Sequence, residues 1–337
     1  MSAGLVVAIL LAVAFAMTNG LHDAANSIAA LVATRAATPL QAIVLASVFN
    51  LLGPLLLGAA VANTIGGIVN VAPSAANEVI GAGLAAAVVW NLATWRRGLP
   101  SSSAQALVGG LVGAAVAEGG LSAVDWGGLQ NGHPVGVFGT LISLAVAPPM
   151  GALVALLVIR VLRRMARRAA RRWSTPVRSG QWTMAAVLAF SHGANDAQKA
   201  VGVIAALLLA NGRIGSLAAS PTWVIVLCAI ALTAGTAMGG WPIIRTVGHG
   251  IYRIHSIEGL ASTAASAAVI FGGSVVGAPL STSQVVASSV VGVGGGRSRW
   301  RHVHWEVVGY MVGGWAITLP VTGLLAAVAL AVWRWLT

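Results

Sequence analysis

The stretch Gly20-Leu21-His22-Asp23-Ala24-Ala25-Asn26 interrupts apolar sequence near the N-terminus. A second stretch in the same G-x-[HN]-D-A frame, Gly193-Ala194-Asn195-Asp196-Ala197-Gln198-Lys199, does so in the second half of the chain. A carboxylate is costly in a membrane interior and usually marks a functional site there. Transporters built from two repeats bring such groups together near the middle of the membrane. The pair therefore predicts that Asp23 and Asp196 form two walls of one intramembrane site in a transporter.

The composition indicates a membrane protein. Hydrophobic residues make up 58% of the 337 residues and charged residues only 8%. Four stretches of about 18 or more residues carry almost no charge, namely 42–62, 135–159, 222–240 and 307–333. We therefore expect an all-α polytopic membrane protein. No Lys or Arg precedes Arg35, so the positive start of a signal peptide is missing and we expect a retained first helix.

The positive charge is concentrated near the middle of the chain. The formal net charge is +12, and eight of the 19 basic residues lie between Arg160 and Arg178. The positive-inside rule places this segment in the cytoplasm. Its arginines are not interleaved with stacking aromatic residues, which argues against nucleic acid as a partner. The sequence thus predicts a first transmembrane repeat (1–159), a basic cytoplasmic loop (160–180) and a second transmembrane repeat (181–337).

A second pair of motifs supports the repeat. In the first half Pro100-Ser101-Ser102-Ser103-Ala104-Gln105 follows Asp23, and in the second half Pro279-Leu280-Ser281-Thr282-Ser283-Gln284 follows Asp196 at nearly the same spacing. Glu78 precedes the first of these motifs and Glu258 precedes the second, again at almost equal distances along the chain. Each half therefore consists of an aspartate motif, intervening helices and a hydroxyl motif.

The hydroxyl motifs predict an anion site. Ser and Thr cap the free backbone N–H groups at the start of a helix, and this end of the helix dipole attracts anions. The apolar segments that follow, 103–117 and 282–296, are about 15 residues long, which suits re-entrant half-helices better than full crossings. The hydroxyls that would donate to an oxyanion belong to Ser102, Ser103, Ser281, Thr282 and Ser283.

The aspartate motifs predict cation or proton chemistry beside that anion. Asp23 and Asp196 would hold a cation or accept a hydrogen bond from a protonated oxyanion. Lys199, the single lysine in the chain, lies three residues after Asp196, where it would pair with that carboxylate or neutralise substrate charge. Structural alternatives remain: the aspartates could cap broken helices, Asn26 and Asn195 could join helices, the hydroxyls could only cap, and Lys199 could only balance Asp196.

Together with Trp90-Asn91-Leu92-Ala93-Thr94-Trp95, these motifs resemble the inorganic phosphate transporter (PiT) family over residues 5–330. The resemblance implies an inverted repeat of two halves with ten to twelve helical segments. It also implies symport of phosphate with protons or sodium. The substrate-binding residues that it implies are Asp23, Asn26, Ser102, Ser103, Asn195, Asp196, Lys199, Ser281, Thr282 and Ser283. The candidates for the coupling ion are Asp23, Asp196, Glu78 and Glu258, with a candidate sodium site at Asp23 and Asn26.

The departures from the family pattern concern the coupling ion. Family members commonly carry His where this chain has Gln105 and Gln284, so two groups that titrate near neutral pH are missing. The His22-Asp23 and Gln198-Lys199 variants look like those of proton-linked bacterial members, which favours protons slightly. We expect one coupling site near Asp23 and a weaker or absent one near Asp196.

Other function classes fit the sequence less well. An ATP-driven pump lacks its G-x-x-x-x-G-K-[ST] motif on this chain, and the catalytic motifs H-E-x-x-H, C-x-x-C and G-x-S-x-G of enzymes are missing. The alternatives kept are a permease for another tetrahedral oxyanion such as sulfate, and an anion channel. We expect no enzyme activity and no cofactor beyond a coupling sodium or proton. The expected partners are phosphate or metal-phosphate and the bilayer of the cytoplasmic membrane, and a homo-oligomer is left open.

Overall fold

The computed structural model describes residues 2–130, 133–168, 174–239, 251, 254–296 and 300–336. These residues form eleven α-helices, three short 3-10 turns and one antiparallel pair of two-residue strands. The helices are α1 Ala3–Ala33, α2 Pro39–Leu56, α3 Ala60–Gly66, α4 Ala76–Arg96, α5 Ser103–Gly119, α6 Gly136–Arg168, α7 Ser174–Ala210, α8 Thr222–Ala237, α9 Ser256–Val275, α10 Thr282–Gly296 and α11 Trp305–Leu336. The strands are β1 Leu129–Gln130 and β2 His133–Pro134. The predicted all-α class is confirmed.

Six helical segments of the described chain are long and apolar enough to cross a membrane. They are Ala3–Ala33, Pro39–Leu56, Ala76–Arg96, Ser103–Ala123, Gly136–Ala166 and Trp305–Leu336, and Thr222–Ala237 is a shorter apolar helix. Side chains such as Leu10, Leu40 and Leu324 lie exposed on the outside of the bundle, where lipid would cover them. The molecule is therefore a multi-pass membrane protein.

Two helical hairpins have matching tips. The backbone of Gly98 follows α4 at φ 64°, and that of Gly277 follows α9 at φ 74°; both values lie in the left-handed region that glycine adopts readily at helix ends. A proline comes two residues later in each case, and the next helix then begins at a hydroxyl motif. The two tips are defined as residues 97–102, between α4 and α5, and residues 276–281, between α9 and α10.

The hairpins enter the bundle from opposite ends. At one end, α4 begins where α7 finishes, and the amide of Asn211 donates to Asn77 Oδ1 at 2.9 Å. At the other end, α9 begins beside the C-terminal part of α6, where Arg163 pairs with Glu258 at 2.7 Å. The start of α9 also lies beside the first turns of α7, where Gln181 donates to the carbonyl oxygen of Ser256. Because α7 spans 37 residues, or about 55 Å of helix, the two ends lie on opposite sides of the molecule. This opposed arrangement is the inverted repeat that was expected.

The two halves also exchange helices. α8 packs on α1 and α2 packs on α7, while α11 packs on α5 and α6 packs on α10. The approach is close: a Cβ on Gly20 of α1 would lie 2.0 Å from the carbonyl oxygen of Leu232, and one on Gly193 of α7 would lie 2.2 Å from that of Asn50. Glycine is required at both contacts because any side chain would collide with the neighbouring backbone.

The basic segment 160–180 is helical where the structure describes it, instead of the loop that was expected. Residues 160–168 continue α6, and α7 begins at Ser174. Arg178 lies in α7, and its Nε donates to the carbonyl oxygen of Ala36 at 3.1 Å. Residues 169–173 lie outside the described residues, and the bounds 1–159, 160–180 and 181–337, like the cytoplasmic position of the basic segment, stay predictions.

Candidate substrate and ion site

The first half of the site is built around Asp23, which is 1% exposed on α1. Its Oδ1 accepts a hydrogen bond from Asn26 Nδ2 at 2.9 Å and lies 3.1 Å from His22 Nδ1. Its Oδ2 accepts from Ser103 Oγ, at the start of α5, at 2.8 Å. Asp23 lies inside a continuous helix, so the alternative that it caps a broken helix is wrong.

The second half is built around Asp196, which is fully buried on α7. Lys199, one helical turn further on, donates from Nζ to Asp196 Oδ1. The same Nζ donates to the carbonyl oxygen of Leu280 in the second hairpin tip at 2.7 Å. His192 lies on the other side of the carboxylate, with Nε2 2.9 Å from Oδ2 but not aligned for a hydrogen bond. Asp196, too, lies inside a continuous helix.

Thr282, the first residue of α10, joins the two half-sites. Its hydroxyl lies 3.2 Å from Asp196 Oδ2 and 3.5 Å from Asp23 Oδ2. Ligand atoms of Asp23, His192 and Asp196 all lie within 4.8 Å of one another. The aspartates of the two repeats therefore lie together in one buried cluster, which is the arrangement that the paired motifs predicted.

The hydroxyl motifs lie next to the aspartates, where the two hairpins meet. Ser102 caps α5 by accepting from the backbone N–H of Gln105 at 3.1 Å, and Ser281 caps α10 by accepting from that of Gln284 at 3.4 Å. Ser283 Oγ, in the first turn of α10, donates to the carbonyl oxygen of Ser101 at 2.8 Å, so the start of α10 contacts the first tip directly. Two helix N-termini thus meet at one place, where their free N–H groups and dipoles favour a bound anion.

Two histidines that were not among the predicted site residues, His22 and His192, lie beside the aspartates. His22 Nε2 lies 3.1 Å from Ser101 Oγ and 3.3 Å from Thr94 Oγ1, so His22 connects Asp23 to the first tip. His192 connects Asp196 to α2, since its Nδ1 lies 3.0 Å from Asn50 Oδ1. The available signal was the position of His192 four residues before Asp196, which places both side chains on one helix face.

Asn195 and the two predicted glutamates have other surroundings. Asn195 donates to the carbonyl oxygen of Ala278 at 3.1 Å and accepts from the backbone N–H of Leu280 at 3.2 Å, so it fastens α7 to the second tip. Glu78 lies near the start of α4, about 24 Å of helix before Thr94, and pairs with Arg334 at 3.4 Å. Glu258 pairs with Arg163 at the opposite end of the molecule. The structure therefore does not bring either glutamate to the aspartates.

Several oxygen atoms near the site are suited to a cation. Asn26 Oδ1 is buried and has no hydrogen-bond partner among the described residues, and the same holds for Asn19 Oδ1, Gln105 Oε1 and Gln284 Oε1. Amide and carboxylate oxygens are the ligands that hard cations prefer. Asp23 and Asn26 therefore fit the sodium site expected from the sequence, and the ligand atoms of Asp23, His192 and Asp196 are close enough together to hold one metal ion.

A cavity of about 460 Å³ approaches the second tip from one end of the bundle. It lies between α3, the start of α6 and residues Gly277, Ala278 and Pro279. Pro279, the lining residue nearest to the site in sequence, stands two residues before Ser281. On the other side of the site, next to Asn26, the described side chains leave an opening of about 10 Å³. The start of α6 lies at the end of α6 opposite the basic segment, so this cavity lies at the end of the molecule away from that segment.

A family model for the phosphate transporter family matches residues 19–326. The chain belongs to the phosphate transporter family. Proteins from Mycobacterium bovis and Rhizobium meliloti, each named "Probable low-affinity inorganic phosphate transporter", are 40% and 37% identical. The matches cover 96% and 95% of this chain and 76% and 93% of those proteins. Membership of a transporter family agrees with the expectation of no enzyme activity.

A solved structure named "The sodium-dependent phosphate transporter" confirms the fold of this transporter family member. The two chains superpose with a TM-score of 0.86, each is covered over 100% of its length, and the sequences are 23% identical. The similarity extends over both halves, including the hairpins.

Proposed function

We propose that this chain is a symporter that imports inorganic phosphate across the cytoplasmic membrane, driven by a proton or sodium gradient. The observation that carries the proposal is the position of Thr282 between Asp23 and Asp196 at the meeting point of the two tips. One site thus combines helix N-termini and hydroxyls for an oxyanion with carboxylates for a cation. Membership of the phosphate transporter family and the names of the bacterial relatives support phosphate as the oxyanion.

The charges at the site explain why the anion would require a cation. Asp23 and Asp196 carry two negative charges, and Lys199 offsets one of them. A further negative charge about 4 Å from a carboxylate would be repelled by about 4 kcal/mol at the effective dielectric constant of a partly buried site. A sodium ion or proton at Asp23 removes this repulsion, so that phosphate and cation bind together. This mutual dependence is the basis of symport.

One set of side chains would bind the anion and another would bind the cation. Hydroxyls of Ser102, Ser103, Ser281, Thr282 and Ser283 would donate to phosphate oxygens, together with N–H groups at the starts of α5 and α10. Asp23 and Asn26 would hold the coupling cation, while Asp196 and Lys199 form a fixed pair beside the anion. Asn195 would keep the second tip in place.

Uptake by proteoliposomes tests the proposal. The purified chain should accumulate labelled phosphate against its gradient when an inward sodium gradient is imposed at fixed pH, or when a pH gradient is imposed without sodium. Uptake in the second condition alone would assign protons, and uptake in the first alone would assign sodium. Accumulation of sulfate without phosphate would change the substrate, and flux without accumulation would identify a channel.

A further inference from the structure

The two half-sites differ at one position that the internal repeat makes equivalent. Asn26 stands three residues after Asp23, and Lys199 stands three residues after Asp196. Each side chain donates to Oδ1 of its own aspartate. The first half therefore has a neutral amide where the second half has the amino group of a lysine.

Lys199 occupies the position that a bound cation would take. It is fully buried, and its Nζ contacts a carboxylate oxygen of Asp196 and the carbonyl oxygen of Leu280 in the second tip. A carboxylate and a backbone carbonyl are typical ligands of a hard cation. The ammonium group also links α7 to the tip of the second hairpin, as an ion bound between them would do.

The first half offers acceptors without such a charge. Within the described part of the chain, buried Asn26 Oδ1 has no hydrogen-bond partner, and Asn19, four residues before Asp23, has an amide with neither its oxygen nor its nitrogen paired. Residues four before and three after Asp23 lie on the same face of α1 as Asp23 itself. A mobile cation would therefore find amide oxygens without a hydrogen-bond partner near Asp23, whereas near Asp196 it would meet the amino group of Lys199.

We infer that Lys199 is a tethered cation that replaces a second coupling ion, so that this chain moves one coupling cation per transport cycle, at Asp23. The inference rests on the proposed function, because it concerns the cations of the same symport site. Replacing Lys199 with the neutral residue of the first half creates the need for a second mobile cation at Asp196. Lys199 thus determines how many cations accompany each phosphate, although Lys199 itself is not transported.

The decisive variant is Lys199→Asn, which gives the second half the residue found in the first. Initial phosphate uptake is measured against sodium concentration at fixed pH and against proton concentration without sodium, with choline chloride keeping the ionic strength constant. For whichever ion drives uptake, the Hill coefficient should be about 1 for the unaltered chain and about 2 for Lys199→Asn. A coefficient of about 2 in the unaltered chain, or of about 1 in an active Lys199→Asn, would overturn the inference.

The melting temperature of the purified protein provides a readout that does not depend on transport. In low sodium at neutral pH, Lys199→Asn should melt below the unaltered chain, because the buried carboxylate of Asp196 then loses its lysine partner and keeps only His192 and Thr282 beside it. Adding sodium, or lowering the pH, should remove most of this difference, since ligands that bind the folded state raise its stability. A deficit that neither treatment reduces would show that Lys199 only holds the helices together, and the inference would fail. Absence of uptake by the unaltered chain would refute the proposed function, and the melting comparison would still decide the role of Lys199.

Discussion

Removing the hydroxyl of Thr282 should break the hydrogen-bond link between the two half-sites while the shape of the side chain stays nearly the same. Thr282→Val keeps the volume of the side chain but leaves nothing to donate to Asp196 Oδ2 at 3.2 Å or Asp23 Oδ2 at 3.5 Å. A hydroxyl has one proton, so it serves one carboxylate at a time, and a hydrogen bond to a charged group contributes about 1.5–3 kcal/mol. If that energy is used in binding or in the transport barrier, phosphate uptake should fall roughly 10- to 150-fold.

The assay is initial uptake of labelled phosphate by proteoliposomes with equal amounts of inserted protein. Thr282→Ser retains the hydroxyl and should keep most of the activity. The matched control is Thr318→Val, because Thr318 is also buried but its hydroxyl donates to Gly314 of its own helix, at 2.7 Å. Full uptake by Thr282→Val, or an equal loss in Thr318→Val, would refute the assignment of Thr282 as the link between the aspartates.

Other parts of the structure give further expectations. Asp23→Asn and Asp196→Asn should each lower coupled uptake about tenfold or more while insertion into the membrane stays normal, and full uptake by either variant would remove that residue from the site. Glu258→Gln should lower the melting temperature, because it weakens a partly buried ion pair, yet leave the cation dependence of uptake unchanged; altered cation dependence would return Glu258 to the coupling site. Gly193→Ala should destabilise the detergent-solubilised protein by roughly 1–3 kcal/mol or more, whereas Gly309→Ala, where a Cβ meets no described atom within 4 Å, should have the melting temperature of the unaltered chain.

The internal repeat made much of the fold and site predictable. Equivalent motifs in the two halves predicted that Asp23 and Asp196 would meet, because a buried carboxylate needs partners and each half offers the same ones. The helix starts at Ser103 and Thr282 followed from local chemistry, since a glycine, a proline and a capping hydroxyl stand in the same order before each. These signals are short-range in sequence and therefore visible without a structure.

Contacts between the halves were harder to predict. Glu78 and Glu258 stand at equivalent places in the repeats, which suggested a shared site. Equivalent residues of an inverted repeat meet only near its middle, as Asp23 and Asp196 do, whereas these two glutamates lie at opposite ends of the molecule. The bridge formed by Thr282 and the contact of His192 with α2 also depend on how one half packs on the other. Sequence spacing describes neighbours along one helix, whereas these contacts join residues from separate helices whose packing the spacing does not specify.

The exchange of helices between the halves has a consequence for the order in which the protein is made. α8 covers the face of α1 that carries Gly20, but Thr222, where α8 begins, lies more than half of the chain beyond Ala33, where α1 finishes. At about 5–20 residues per second, a ribosome needs roughly 10–40 s to synthesise the sequence between these two points. During this interval Asp23 resides in the bilayer without α8, α10 and the second aspartate beside it. The transport site is thus completed only after the second half of the chain has been made, long after its first aspartate has left the ribosome.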